Sequence, residues 1–328
     1  MKVLFIGGTG NISAASSRLA IEKGIDLFHL NRGQTSLKIS KVKTILGDID
    51  KPEQLSELKK HHWDVVVNWI AFTPLDVERD IQLFNGKTKQ YIFISSASAY
   101  QKPLSYPVIT ESTPLHNELA AYSKNKILSE ERLMKAYREE NFPVTIVRPS
   151  LTYDRVIPIA IGGFREYTTA DRILKGKPII IHGDGASLWT VTHSIDFAKG
   201  LVGLLGLTQA IGHAFHITSD EILNWNMIYK ILAESLNCEL NPVHIASDFI
   251  CKIEPIFTEK LLADKAESVI FDNTKIKTFV PEFKATIPFA DGIKRTLRWL
   301  DENPHLKVVN SETNQRIENI LSAYQKLL

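Results

Sequence analysis

Lys2-Val3-Leu4-Phe5-Ile6-Gly7-Gly8-Thr9-Gly10 is the stretch on which the reading of this chain turns. Its first five residues lack a polar face beyond Lys2, the pattern of a strand covered on both sides. Gly7 and Gly10 then permit a sharp reversal of the backbone, residues 11–23 are helix-compatible, and Gly24 provides a stop. Strand, glycine turn and helix in that order aim unpaired N–H groups and a helix dipole at whatever lies over the turn, so a pyrophosphate is the expected occupant. Ser13 stands where a third glycine completes the G-x-x-G-x-x-G spacing, and close packing of helix on strand is less assured with a side chain there.

Outward from this unit, strands are expected over residues 25–30, 42–46, 63–71, 91–95 and 144–147, with helices between them and a long helix over 119–140. The alternation specifies an α/β chain with a doubly wound parallel sheet of the Rossmann type. Past Pro149 the rhythm breaks: Gly162-Gly163, a helix near 164–175, a strand at 178–182, the turn Gly183-Asp184-Gly185, and helices near 225–236 and 293–300. The polar tail from Asn303 suits a short amphipathic helix. These features divide the chain into a dinucleotide-binding domain, residues 1–153 with about 186–218, and a smaller α/β substrate domain, about 154–185 and 219–328.

Composition narrows the function classes. In 328 residues, 44% hydrophobic, there is enough apolar surface for a large core. Lys and Arg number 39 against 37 acids, so no broad basic face is implied and nucleic acid is not the expected partner. Cys238 and Cys251 lack C-x-x-C spacing or a nearby His pair, which argues against zinc and disulfides and fits a reducing cytoplasm. The first strand starts too early to leave room for a leader, and no apolar run approaches the roughly 20 residues of a membrane span.

Three short patterns carry chemistry. Asn31-Arg32 ends the second strand, where an acid would bind the ribose hydroxyls of NAD; a guanidinium there pairs with a 2′-phosphate, so NADP is favoured over NAD, although Asn31 can still bond an unphosphorylated ribose. Tyr122 and Lys126 lie four apart on the long helix and share one face. A lysine charge and an oxidised nicotinamide beside a phenol favour its ionised form, making Tyr122 an acid/base. Ile94 to Tyr100 ends the fifth strand with Ser95, Ser96 and Ser98, hydroxyls suited to orient a substrate oxygen or to cap local backbone. Asp184 and Asp196 read as turn and helix-start residues.

With these residues in order, the chain resembles the extended short-chain dehydrogenase/reductase family, specifically its NAD-dependent epimerase/dehydratase group acting on sugar nucleotides. Gly7-Gly8-Thr9-Gly10-Asn11-Ile12 is similar to the family's cofactor turn, Gly47-Asp48-Ile49-Asp50 to its adenine-side loop, and Trp69-Ile70-Ala71 to the fourth-strand end lining the cofactor. Ser96 matches the catalytic Ser/Thr place, Tyr122 and Lys126 the catalytic pair, and Arg148-Pro149 the segment beside the nicotinamide. The resemblance implies that Tyr122 moves a proton, Lys126 lowers its pKa and binds the nicotinamide ribose, and Ser96 orients the reacting oxygen. Ala97-Ser98 follow Ser96 where family dehydratases carry Asp-Glu, which disfavours sugar dehydration. Little room between Ala71 and Tyr91 shortens the region through which many members dimerise, leaving a homodimer open. Sugar-nucleotide epimerisation and ketone/alcohol oxidoreduction both fit. The alternative is an RNA-associated or NADP-sensing, non-catalytic protein on the same fold.

Overall fold

The computed structural model describes residues 1–34 and 37–327. Seven strands form one parallel sheet: β1 (Lys2–Ile6), β2 (Asp26–Asn31), β3 (Lys43–Leu46), β4 (Val65–Asn68), β5 (Tyr91–Ile94), β6 (Val144–Pro149) and β7 (Ala214–Ile217). Their spatial order is β7-β6-β5-β4-β1-β2-β3. β1 pairs in register with β2 and β4, Phe5 lying opposite both His29 and Val67. The expected doubly wound sheet is therefore the one observed.

Alternation along β1 explains the layers. Val3 and Phe5 pack on one face with α1 (Ser13–Glu22) and α4 (Ser194–Leu204), in a core with Ala20, Phe197 and Leu201. Leu4 and Ile6 pack on the other face with α2 (Pro74–Phe84) and α3 (Ala121–Glu140), in a core with Val77, Phe84 and Leu133. Both faces are buried, which is why the central strands contain almost no exposed polar positions.

Two strands of the sheet differ from expectation by more than one residue. β4 occupies Val65–Asn68 rather than residues 63–71. Asn68 accepts the Ile70 N–H through Oδ1 at 2.8 Å, which turns the chain out of the sheet, and Trp63 makes only an isolated bridge to Thr88. β6 runs through Arg148 and Pro149, with Pro149 opposite Ile217 at the sheet's last rung.

A third core lies beyond the carboxyl ends of the strands. It contains Tyr153, Ile157, residues of α5 (Trp225–Ser235), α6 (Phe289–Glu302) and α7 (Ser311–Gln325), and the strand Ile179–His182, which pairs in parallel with Pro242–Ile245. The tail helix α7 is longer than the short helix expected; Asn310 caps it and Ile317, Ile320 and Leu321 bury its apolar face. The cores cross the expected domain division: Ile276, Val280 and Phe283 pack under the sheet, and Ala97, Tyr100, Ile109, Tyr153, Trp189 and Val191 join the third core. Leu328, the last residue assigned to the second domain, lies outside the described residues. Among the described residues Cys238 and Cys251 are free thiols, no acidic or thiol cluster suits a metal, and no helix is long and apolar enough to cross a membrane.

Candidate active site

The glycine turn is built against its neighbours. Gly7 adopts φ +85°, and a Cβ on it would stand 2.7 Å from Ile70 Cγ2. A Cβ on Gly8 would stand 2.3 Å from the His29 ring, so the turn rests directly on β2 and the end of β4. Ser13 tightens rather than loosens it: its hydroxyl accepts from Gly10 N at 2.7 Å and donates to Gly7 O at 2.9 Å. Ser17 likewise donates to Gly8 O and meets His29 Nε2 at 2.9 Å. Ile12, before α1, provides no side-chain cap, leaving the helix's opening N–H groups suited to an anion.

Two cavities meet over this turn, sharing Gly7, Gly10, Ile70 and Phe72. One, of about 580 Å³, is lined by Thr9, Asn31, Arg32, Asp48 and Ile49. The other, of about 560 Å³, is lined by Asn11, Ile12, Trp69, Pro149 and the trio Ser96, Tyr122 and Lys126. One expected lining residue is missing from both. Ala71 is fully buried behind the wall and takes part through its carbonyl oxygen, which holds Lys126.

Lys126 and Tyr122 face the same cavity, each with its proton affinity shifted by burial. The Lys126 ammonium donates to Ala71 O at 2.6 Å and Ile94 O at 2.7 Å and lies between the rings of Phe72 and Phe93. Burial lowers its pKa to about 7, opposed by Glu130 and Asp76. Tyr122, 43% exposed along the groove, has its phenol pKa raised: burial is the main cause, Asp264 adds to it, and a hydrogen bond with Ser96 opposes it. The phenol is therefore held protonated by its enclosure.

A line of hydroxyls supports this arrangement. Ser123 donates to Ser98 Oγ at 2.9 Å, and Ser98 Oγ lies 2.9 Å from Ser96 Oγ. Ser95, although it borders the cavity, donates to Glu130. Glu130 is paired with Arg148 at 2.6 Å, both nearly inaccessible, so Arg148 serves the scaffold while Pro149 faces the groove.

Three features went unseen in the sequence. Phe72 borders both cavities and lies 4.8 Å above Lys126; the helix start at Thr73-Pro74, a capping box with Asp76, was the local signal for it. Asn11 clasps the far side through its amide, Nδ2 donating to Thr152 O and Oδ1 accepting from Arg155 N, both at 3.1 Å. Arg155 in turn donates to Gly10 O at 3.1 Å. The third feature is a positively charged end of the cavity, where Lys102, Lys260, Lys265 and Arg165 face a single acid, Asp264. Lys102 and Lys265 flank the Trp189 ring at 5.9 and 5.5 Å, and burial lowers the pKa of Lys102 and Lys260. Tyr153 is buried beside His193 instead. Asp184 caps its own turn at Ala186 N, and Asp196 is bound by Lys199 and Ile287 N.

Comparison with known proteins bears on this geometry. Residues 81–217 match the NAD dependent epimerase/dehydratase family. The 2′-dehydrokanamycin reductase of Streptomyces kanamyceticus is 21% identical, over 87% of this chain and 80% of its own length. The chloroplast stem-loop binding protein of 41 kDa b of Arabidopsis thaliana is 24% identical, over 71% of this chain and 63% of its own. UDP-glucuronic acid 4-epimerase of Bacillus cereus, solved with UDP-glucuronic acid and NAD, superposes with a TM-score of 0.72 at 17% identity, covering 92% of this chain and 100% of that one.

Proposed function

We propose, from the match of residues 81–217 to the NAD dependent epimerase/dehydratase family and the similarity to a reductase, that the chain is an NAD-dependent oxidoreductase-type enzyme that catalyses reversible hydride transfer at a secondary alcohol or ketone of an anionic, nucleotide-sugar-like substrate. The observation that carries this reading is the convergence of Ser96, Tyr122 and Lys126 on one cavity with the glycine turn. A dinucleotide fits the cradle: the glycines let the turn sit directly against Ile70 and His29, and the helix start has no side-chain cap on its opening N–H groups. When bound, it supplies the hydride.

The chain's own groups do the rest. Tyr122, held protonated, donates to the oxygen of a ketone during reduction and recovers that proton in the reverse direction. Ser96, beside Tyr122 in the same cavity wall, keeps the phenol and the reacting oxygen in line. Lys126 titrates near neutrality; moving from its carbonyl partners toward a nicotinamide ribose would bring its charge to the phenol and ease ionisation. Lys102, Lys260 and Arg165 suit the negative charge of a phosphorylated substrate. Arg32, beside the adenosine-side cavity with no acid at its end of β2, favours NADP. The two free thiols suit a reducing compartment such as the cytoplasm.

Turnover of candidate nucleotide sugars with and without added NADPH is the test. Stoichiometric NADPH consumption assigns a reductase, and inversion of a sugar carbon without external cofactor assigns an epimerase. Absence of both across a nucleotide-sugar panel, together with salt-sensitive RNA binding, would instead favour the non-catalytic reading that the stem-loop binding relative suggests.

A further inference from the structure

A chain of polar contacts runs beneath the adenosine-side cavity, away from Tyr122. Asp80 on α2 is fully buried, a costly place for a carboxylate unless each oxygen is bonded. Oδ2 accepts from the Tyr91 hydroxyl at 2.5 Å and from Asn68 Nδ2. Oδ1 accepts from Arg79 Nε and Nη2 at 3.0 and 2.9 Å. Asn68, held this way, accepts the Ile70 N–H and so determines where Trp69 and Ile70 leave β4.

The same guanidinium reaches in the other direction. Arg79 Nη1 donates to Asp50 and approaches Asp76 at 3.5 Å. Asp76 in turn accepts the N–H groups of Phe72 and Thr73 at 2.8 and 2.9 Å. Ile70, Phe72, Asp76, Asp48 and Asp50 all line the adenosine-side cavity, so one side chain ties together walls drawn from β4, α2 and the loop after β3. A planar fork with five donors can keep two carboxylates at a set separation, which a flexible ammonium cannot.

We propose that Arg79 is a positioning residue for the adenosine half of the dinucleotide, fixing the gap between the Gly47–Asp50 loop and the end of β4 in which adenine and its ribose lie. This rests on the dinucleotide reading above. Arg79 does not line the cavity; it acts through Asp50 and Asn68. Without it the loop drifts, and only the half of the ligand between these walls is affected.

The test uses the intact protein titrated with ADP, with nicotinamide mononucleotide and with the whole dinucleotide. Arg79→Met and Asp50→Asn should each raise the Kd for ADP and the dinucleotide about five- to tenfold. The double variant should be no worse than Arg79→Met alone, because Arg79→Met already removes the Asp50 contact, and mononucleotide binding should stay within about twofold. Arg79→Lys should restore ADP binding only in part. If Arg79→Met fails to fold, Asp50→Asn decides, since the Asp50 side chain is 69% exposed and Asp80 keeps its partner. Unchanged ADP affinity in the variants, or equal loss of ADP and mononucleotide, overturns the proposal alone. A wild-type protein that binds no dinucleotide overturns the functional reading with it.

Discussion

The two cavities that meet over Gly7 are nearly equal in volume and opposite in construction. The adenosine-side cavity is assembled from runs that each follow a strand: residues 7–10 after β1, 31–34 after β2, 47–50 after β3 and 70–76 after β4. Its neighbour starts from the same turn but draws on Tyr122, Lys126, Leu151, Trp189, Lys260 and Phe271, brought together only when the chain folds back from the third core. The first offers a ligand backbone groups whose direction the parallel sheet dictates. The second presents side chains whose charge is adjusted by burial, as at Lys126 and Tyr122. Under the proposed function, binding and proton transfer should therefore be separable by mutation.

The largest expected effect tests that separation directly. Tyr122→Phe should lower the rate of hydride transfer by about 10²- to 10⁴-fold while changing dinucleotide affinity less than about twofold. Single-turnover rates and equilibrium titrations check both; parallel losses would show that the two halves work as one unit. Next in size, Arg32→Gln should weaken NADPH by about 10- to 100-fold and leave NADH unaffected. Equal effects on the two cofactors would mean that Arg32 does not read the 2′-phosphate.

The smallest effect concerns Lys126. Folding lowers its pKa from 10.5 to about 7, so between those values the unfolded chain holds the extra proton, and this group's contribution to stability rises with pH across that window. Relative to Lys126→Met, the wild type should gain about 1 to 2 kcal/mol between pH 7.5 and 9.5 in urea titrations. A difference that is flat with pH would show the ammonium to be solvated and would remove the contrast between the two cavities.

Legibility followed the same divide. Gly7, Gly10, Asn31 and Arg32 were readable because each lies within a few residues of a strand end, where a doubly wound sheet places its ligands, and Asp48 and Ile49 through the family resemblance. Tyr122 and Lys126 were readable through helical spacing. Phe72, Asn11's clasp on Thr152 and Arg155, and the Lys102, Lys260 and Lys265 cluster were not, since their partners lie far off in the chain. Strand ends slipped where a side chain replaced a ladder bond, as Asn68 does for Ile70.

Hydrophobic periodicity and turn chemistry were enough to specify a parallel sheet with a sharp glycine bend at its first strand, because both are local properties of consecutive residues. Protonation was not local. Lys126 owes its near-neutral pKa to enclosure by elements far apart in the chain, and Tyr122 is raised by the surroundings that the folded chain closes around it. Desolvation is a sum over neighbours in space, so it exists only once the third core has closed against the sheet.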